Sequence, residues 1–85
     1  MRLPVVVAAL LLMGAAPPPP GATSCTGCHI SGGGIGVLQG RPAEDTVAQM
    51  EGFRSGARTA TLMNRIAKGF TPDEVRAIAT WFAQQ

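Results

Sequence analysis

Every cysteine and the only histidine of this chain fall within five consecutive residues, Cys25-Thr26-Gly27-Cys28-His29. C-x-x-C-H is the attachment signature of c-type haem: two thiols add across the vinyl groups of the porphyrin, and the adjacent imidazole ligates the iron. Two residues between the thiols let one turn of backbone reach both vinyl positions, and the next residue then lies under the ring with its imidazole aimed at the metal. Thr26 and Gly27 are small, so the backbone can approach the ring edge closely. Other chemistries account for less of the pattern. A structural zinc site takes four Cys or His ligands, and this chain has three. A thioredoxin-like dithiol sits beside a strand-helix-strand pattern that the sequence lacks. A plain disulfide between Cys25 and Cys28 closes too short a loop to add much stability, and it leaves His29 unexplained.

Of the 85 residues, the first 22 read as a secretory signal peptide and proline-rich leader. Arg2 precedes an apolar run from Leu3 to Ala16, and small residues and prolines follow, with cleavage expected near Ala22. The run is shorter than the roughly 20 residues that span a bilayer as a helix, so no permanent membrane span is expected. Residues 23–85 then form the domain. A domain of about 60 residues gains only marginal stability from its own core and usually needs a staple. One covalent haem c supplies such a staple, and the protein without it is expected to be largely unfolded. From Thr23 onward Arg41, Arg54, Arg58, Arg65, Lys68 and Arg76 stand against Glu44, Asp45, Glu51, Asp73 and Glu74. That near balance leaves no basic patch or stripe for nucleic acid.

Pro17 to Pro20 cannot be helix interior and read as an extended spacer. Ser24 is a candidate cap for a short helix carrying the cysteines. The glycines at 32–34 and Gly36 lack the G-K-[ST] of a phosphate loop; they suit a backbone that wraps the ring edge. A carbonyl of this loop, with Gly36 the first candidate, is placed to accept the second ring N–H of His29. A helix is predicted from about Pro42 to Arg54, with Pro42 at its first position, Glu44 and Asp45 at its positive end, and Val47, Met50 and Phe53 on one face. Gly56 ends it. A shorter helix is predicted over Thr61 to Lys68, with Leu62 and Ile66 on one face. The last helix is the clearest. Thr71-Pro72-Asp73-Glu74 forms a capping box with proline at the first helical position, and Val75, Ile78, Ala79 and Phe82 recur at core spacing, with Trp81 beside them.

A haem held by one histidine has a sixth position, and its occupant separates electron carriers from sensors and catalysts. Beyond the leader the chain offers Met50 and Met63. Met50 recurs with Val47 and Phe53 and reads as core. Met63 follows a polar turn, off the Leu62 and Ile66 face, and is the candidate ligand. Arg54 and Arg58 are candidates for contacting haem propionates or a partner.

The order of C-x-x-C-H, glycine-rich loop, helix, late methionine and terminal aromatic helix resembles class I cytochromes c. The run from Gly40-Arg41-Pro42-Ala43-Glu44 through Phe53-Arg54-Ser55-Gly56-Ala57-Arg58 to Met63-Asn64-Arg65-Ile66-Ala67-Lys68-Gly69-Phe70-Thr71 is similar to the cytochrome subunit of flavocytochrome c sulfide dehydrogenase and its small monohaem relatives. The resemblance implies an all-α class I cytochrome c fold of three to four short helices around one covalent haem. It also implies thioether bonds at Cys25 and Cys28, axial His29 and Met63, and a periplasmic one-electron carrier that takes electrons from a sulfide-oxidising flavoprotein rather than an enzyme by itself. Two features depart from the pattern. Gly36 stands where the family has proline, and prolines replace most of the helix that precedes C-x-x-C-H. The shortened N-terminal helix leaves the Trp81 and Phe82 face to be covered by the haem, a second copy or a partner protein. Two other function classes remain open: a haem-based sensor with an open sixth site, and a dithiol oxidoreductase without haem.

Overall fold

The computed structural model describes residues 16–29 and 35–85. Most of the apolar leader and the glycines at 32–34 lie outside the described residues. Four helices follow in the order α1 (Ala22–Thr26), α2 (Ala43–Ser55), α3 (Met63–Ala67) and α4 (Pro72–Ala83). No strand occurs among the described residues, so the architecture is the all-α one that the sequence predicts.

The clearest local signals shape α4. Its capping box forms in full: the Glu74 backbone N–H donates to the Thr71 hydroxyl at 3.2 Å, and the Thr71 N–H donates to the Glu74 carboxylate at 2.8 Å. These bonds satisfy donors that the first turn would otherwise leave bare. Val75, Ile78, Ala79 and Phe82 are the buried residues of α4, the stripe predicted from their spacing. Phe82 is the largest fully buried side chain, and it packs with Ile78 against Ala22 of α1. Leu38, Phe70 and Trp81 close around this cluster.

Coverage of the Trp81 and Phe82 face comes from the chain itself. Ala22 is fully buried there, although it is the last residue of the expected leader. The Trp81 indole N–H donates to the Ala16 carbonyl at 3.0 Å. Gly21 makes the approach possible. Its φ of +89° starts α1 in the left-handed region, and a Cβ at this position would meet the Phe70 ring at 2.6 Å. Because α1 starts this early, Ser24 does not cap it. Ser24 lies inside the helix, and its hydroxyl donates back to the Gly21 carbonyl at 2.7 Å.

Helix α2 runs one residue later than predicted at each end. Pro42 is its N-cap, with ψ 134°, rather than its first helical residue. Gly56, in the left-handed conformation, follows its last residue as expected. Gly52 weakens a helix interior by about 1 kcal/mol relative to alanine, and the fold has a use for it: a Cβ there would sit 3.0 Å from Cγ of Arg58, whose stem lies over this position. Helix α3 is shorter than the predicted Thr61 to Lys68, and Ala67 is its buried residue. Both α3 and α4 pack on α2, which makes α2 the beam from which the site is hung.

Candidate cofactor site

The helical turn of α1 continues through the motif. The backbone N–H groups of Cys28 and His29 both donate to the Cys25 carbonyl, at 3.2 and 2.8 Å. Residues three and four apart on a turn share a side, so both thiols and the imidazole line one cavity of about 540 Å³. The cysteines are free thiols, Cys25 half-buried and Cys28 exposed. Burial pushes the Cys25 thiol up, against a backbone hydrogen bond that lowers it.

His29 is held as the sequence predicts. Its Nδ1 lies 2.7 Å from the Gly36 carbonyl oxygen. A carbonyl can only accept, so Nδ1 carries the proton and the Nε2 lone pair is free to ligate a metal.

The opposite wall combines two elements. From α2 come Thr46, Gln49, Met50 and Phe53; from the α3 region come Leu62, Met63 and Ile66. Two expectations about faces change here. Met63 does not stand off the Leu62 and Ile66 face, because all three line the same cavity. Met50 lines it too, so its place is at the wall of the site and not solely in the packed interior. The cavity stripe of α2 starts on Thr46 and includes Gln49, two polar residues that a search for apolar periodicity passes over.

Asn64, which the motif analysis leaves without a role, ties Met63 to this wall. Its amide N–H groups donate to the carbonyls of Phe53 at 2.9 Å and Arg58 at 2.8 Å, while its side-chain oxygen accepts from the Ala60 N–H at 2.6 Å. One side chain therefore pins the loop ahead of α3 to the last turn of α2. The available signal is an asparagine next to the candidate ligand and just after a polar turn, where Asn commonly bonds backbone.

The cations divide. Arg54 is paired with Glu51 at 2.6 Å and lines a separate groove of about 180 Å³, not the cavity. Arg58 does reach the cavity wall, with its guanidinium 5.0 Å from the Phe53 ring centre, a cation–π distance. Arg41, absent from the predicted site, lines the cavity as well. Thr46 is 8% exposed, and its hydroxyl oxygen is buried with no hydrogen-bond partner.

No family model matches the chain. Over 63 residues it is 38% identical to the cytochrome subunit of sulfide dehydrogenase from Chlorobaculum tepidum, covering 69% of this chain and 57% of that protein. Over 69 residues it is 35% identical to the thiosulfate dehydrogenase electron acceptor of Thiomonas intermedia, covering 74% of this chain and 32% of that protein. The matched part of this chain spans little more than half the length of the first relative and about a third of the second. The chain is a relative of these cytochrome and electron-acceptor proteins, and its all-helical fold agrees with a small cytochrome c.

Proposed function

We propose that this protein is a periplasmic one-electron carrier built around a single covalent haem c, with His29 and Met63 as axial ligands. When bound, the haem iron supplies reversible one-electron exchange. The chain's own part is attachment, ligation and orientation. Cys25 and Cys28 would hold the ring by thioethers, each S–H adding across a vinyl double bond with no oxidant needed. His29 offers Nε2 to the iron while Gly36 holds its tautomer. Met63 offers a soft thioether that favours ferrous iron.

The observation that carries the reading is the cavity on which Cys25, Cys28 and His29 converge with Met63 from a separate stretch of the chain. Its other lining fits a flat apolar ring: Ile35 is 50% exposed, Leu62 57% and Ile66 37%, and all three are on its wall. Large side chains left this open are what a porphyrin face would cover. Cys28 is exposed, so a ring edge bonded there would be open to a redox partner. By analogy with the sulfide dehydrogenase subunit and the thiosulfate dehydrogenase acceptor, that partner is a dehydrogenase of reduced sulfur compounds. A sulfide-oxidising flavoprotein is the first to test.

Two spectra test the assignment. Purified protein should show a Soret band and a mass increased by one haem; a colourless protein at the mass of the bare chain overturns it. In the oxidised state Met63→Ala should lose the sulfur-to-iron charge-transfer band while Met50→Ala keeps it. The reverse result makes Met50 the ligand, and carbon monoxide binding to the native reduced wild type would favour the open-site sensor.

A further inference from the structure

We propose that Arg41 and Thr46 form a carboxylate-binding subsite at the N-terminal end of α2, one that takes a haem propionate and so fixes the carboxylate edge of the ring at that end of the cavity. The inference rests on the haem reading above and adds residues that reading does not use.

Three observations converge. First, Thr46 is more than nine-tenths buried on the cavity wall, and its hydroxyl has no partner. A buried hydroxyl left unpaired carries its full desolvation cost, so one kept at this position calls for an acceptor from the cavity side. Second, Arg41 lines the same cavity and stands just before the N-cap of a 13-residue helix. A cation at that positive end needs an anion near it; of the two acids in the first turn, Glu44 is bonded to Arg76, and neither Glu44 nor Asp45 lines the cavity. Third, the other groups do not compete. Arg54 and Arg76 are taken by Glu51 and Glu44. Arg58 is the other cation on the wall, but it stacks on Phe53 and its stem lies on Gly52, near the far end of α2. The charged or titratable side chains on the cavity wall among the described residues are Cys25, Cys28, His29, Arg41 and Arg58. No carboxylate is among them, so an entering carboxylate meets no like charge on the wall itself, and Glu44 and Asp45 of the first turn of α2 lie off it.

The exposed, permanently charged guanidinium of Arg41, a neutral hydroxyl donor and the positive end of a helix together suit an ionised carboxylate. They also lower its pKa, because each favours the charged form.

The test follows the propionate resonances of the holoprotein by NMR as a function of pH, in wild type, Arg41→Gln, Thr46→Val and Arg58→Gln. Removing the Arg41 charge should raise the pKa of one propionate by about 1 to 3 units, a tenfold to thousandfold change in its ionisation constant. Thr46→Val keeps the side-chain shape and should raise the same pKa by a smaller amount, while Arg58→Gln should leave it where it is. An unmoved pKa in both Arg41→Gln and Thr46→Val overturns the subsite, as does a larger shift in Arg58→Gln. If Arg41→Gln does not accumulate, Thr46→Val alone decides. Wild-type protein without a Soret band overturns the haem assignment itself, an outcome distinct from an unmoved propionate.

Discussion

Where α1 meets α4 the chain packs against itself, with Ala22, Ala79 and Phe82 fully buried. Around the cavity it does not: Leu62 is more than half exposed, Ile66 stands open beside it on the α3 side, and Ile35 stands open on the loop after His29. Both regions carry apolar residues, so hydropathy does not separate them. The difference is in what each faces. At the first, side chains of two helices interdigitate. At the second, apolar side chains, two methionines and two thiols surround a volume larger than any side chain can fill, and the Asn64 bonds hold that wall in place around it. So small a domain buries too little with its first region alone, and we read the second as the half of the interior that the cofactor completes.

The comparison breaks first at the thiols. Cys25→Ala combined with Cys28→Ala should abolish the Soret band and the cooperative thermal transition in far-UV circular dichroism; a double variant that melts like wild type would mean that the α1–α4 region folds the domain unaided. Next is Phe82→Ala, which strikes the self-packed region and should cost about 3 to 5 kcal/mol in denaturant unfolding of the holoprotein. An effect below about 1.5 kcal/mol, the size of a volume-conserving core swap, would deny that region its role. Asn64→Ala acts on the other wall. It should cost about 1 to 3 kcal/mol and weaken the sulfur-to-iron band, whereas Phe82→Ala should leave that band intact in the protein that remains folded.

The smallest effects lie at the α4 cap. Thr71→Ala should cost about 1 kcal/mol. The Thr71 backbone N–H, and then its hydroxyl, hold the Glu74 carboxyl below the usual glutamate range. A carboxyl whose folded pKa is depressed contributes stability that is present above its unfolded value, about 4.3, and is lost as pH falls through the folded one. Glu44 and Glu51 are lowered in the same way by Arg76 and Arg54. Melting curves from pH 6 to pH 3 should therefore decline in wild type and decline less in Glu74→Gln. Equal slopes would leave the cap without a part in acid stability.

Much of this was legible in residue order, and the reason is range. The capping box, the Val75, Ile78, Ala79 and Phe82 stripe and the C-x-x-C-H turn each involve residues within about two helical turns, where spacing decides contact. The Gly36 carbonyl was foreseeable because the loop after His29 is short and must satisfy the imidazole. Arg41, Thr46 and Asn64 were harder to see. Each is polar, and none belongs to an apolar period, so hydrophobic spacing gives them no place in the site. Yet Arg41 stands at the wrong end of a helix for its charge, and that was a usable clue.

The amino-acid sequence by itself determined the grouping of two thiols and an imidazole on one turn, the helical class and the capping of α4, because these depend on neighbours along the chain. Only the tertiary structure decided that Ala22 and the Ala16 carbonyl cover the Trp81 and Phe82 face, and that both Met50 and Met63 reach one cavity. Those choices depend on how α2 lies against α3 and α4. Such packing is set by the fit of distant surfaces to one another, which hydrophobic spacing within a single helix does not encode.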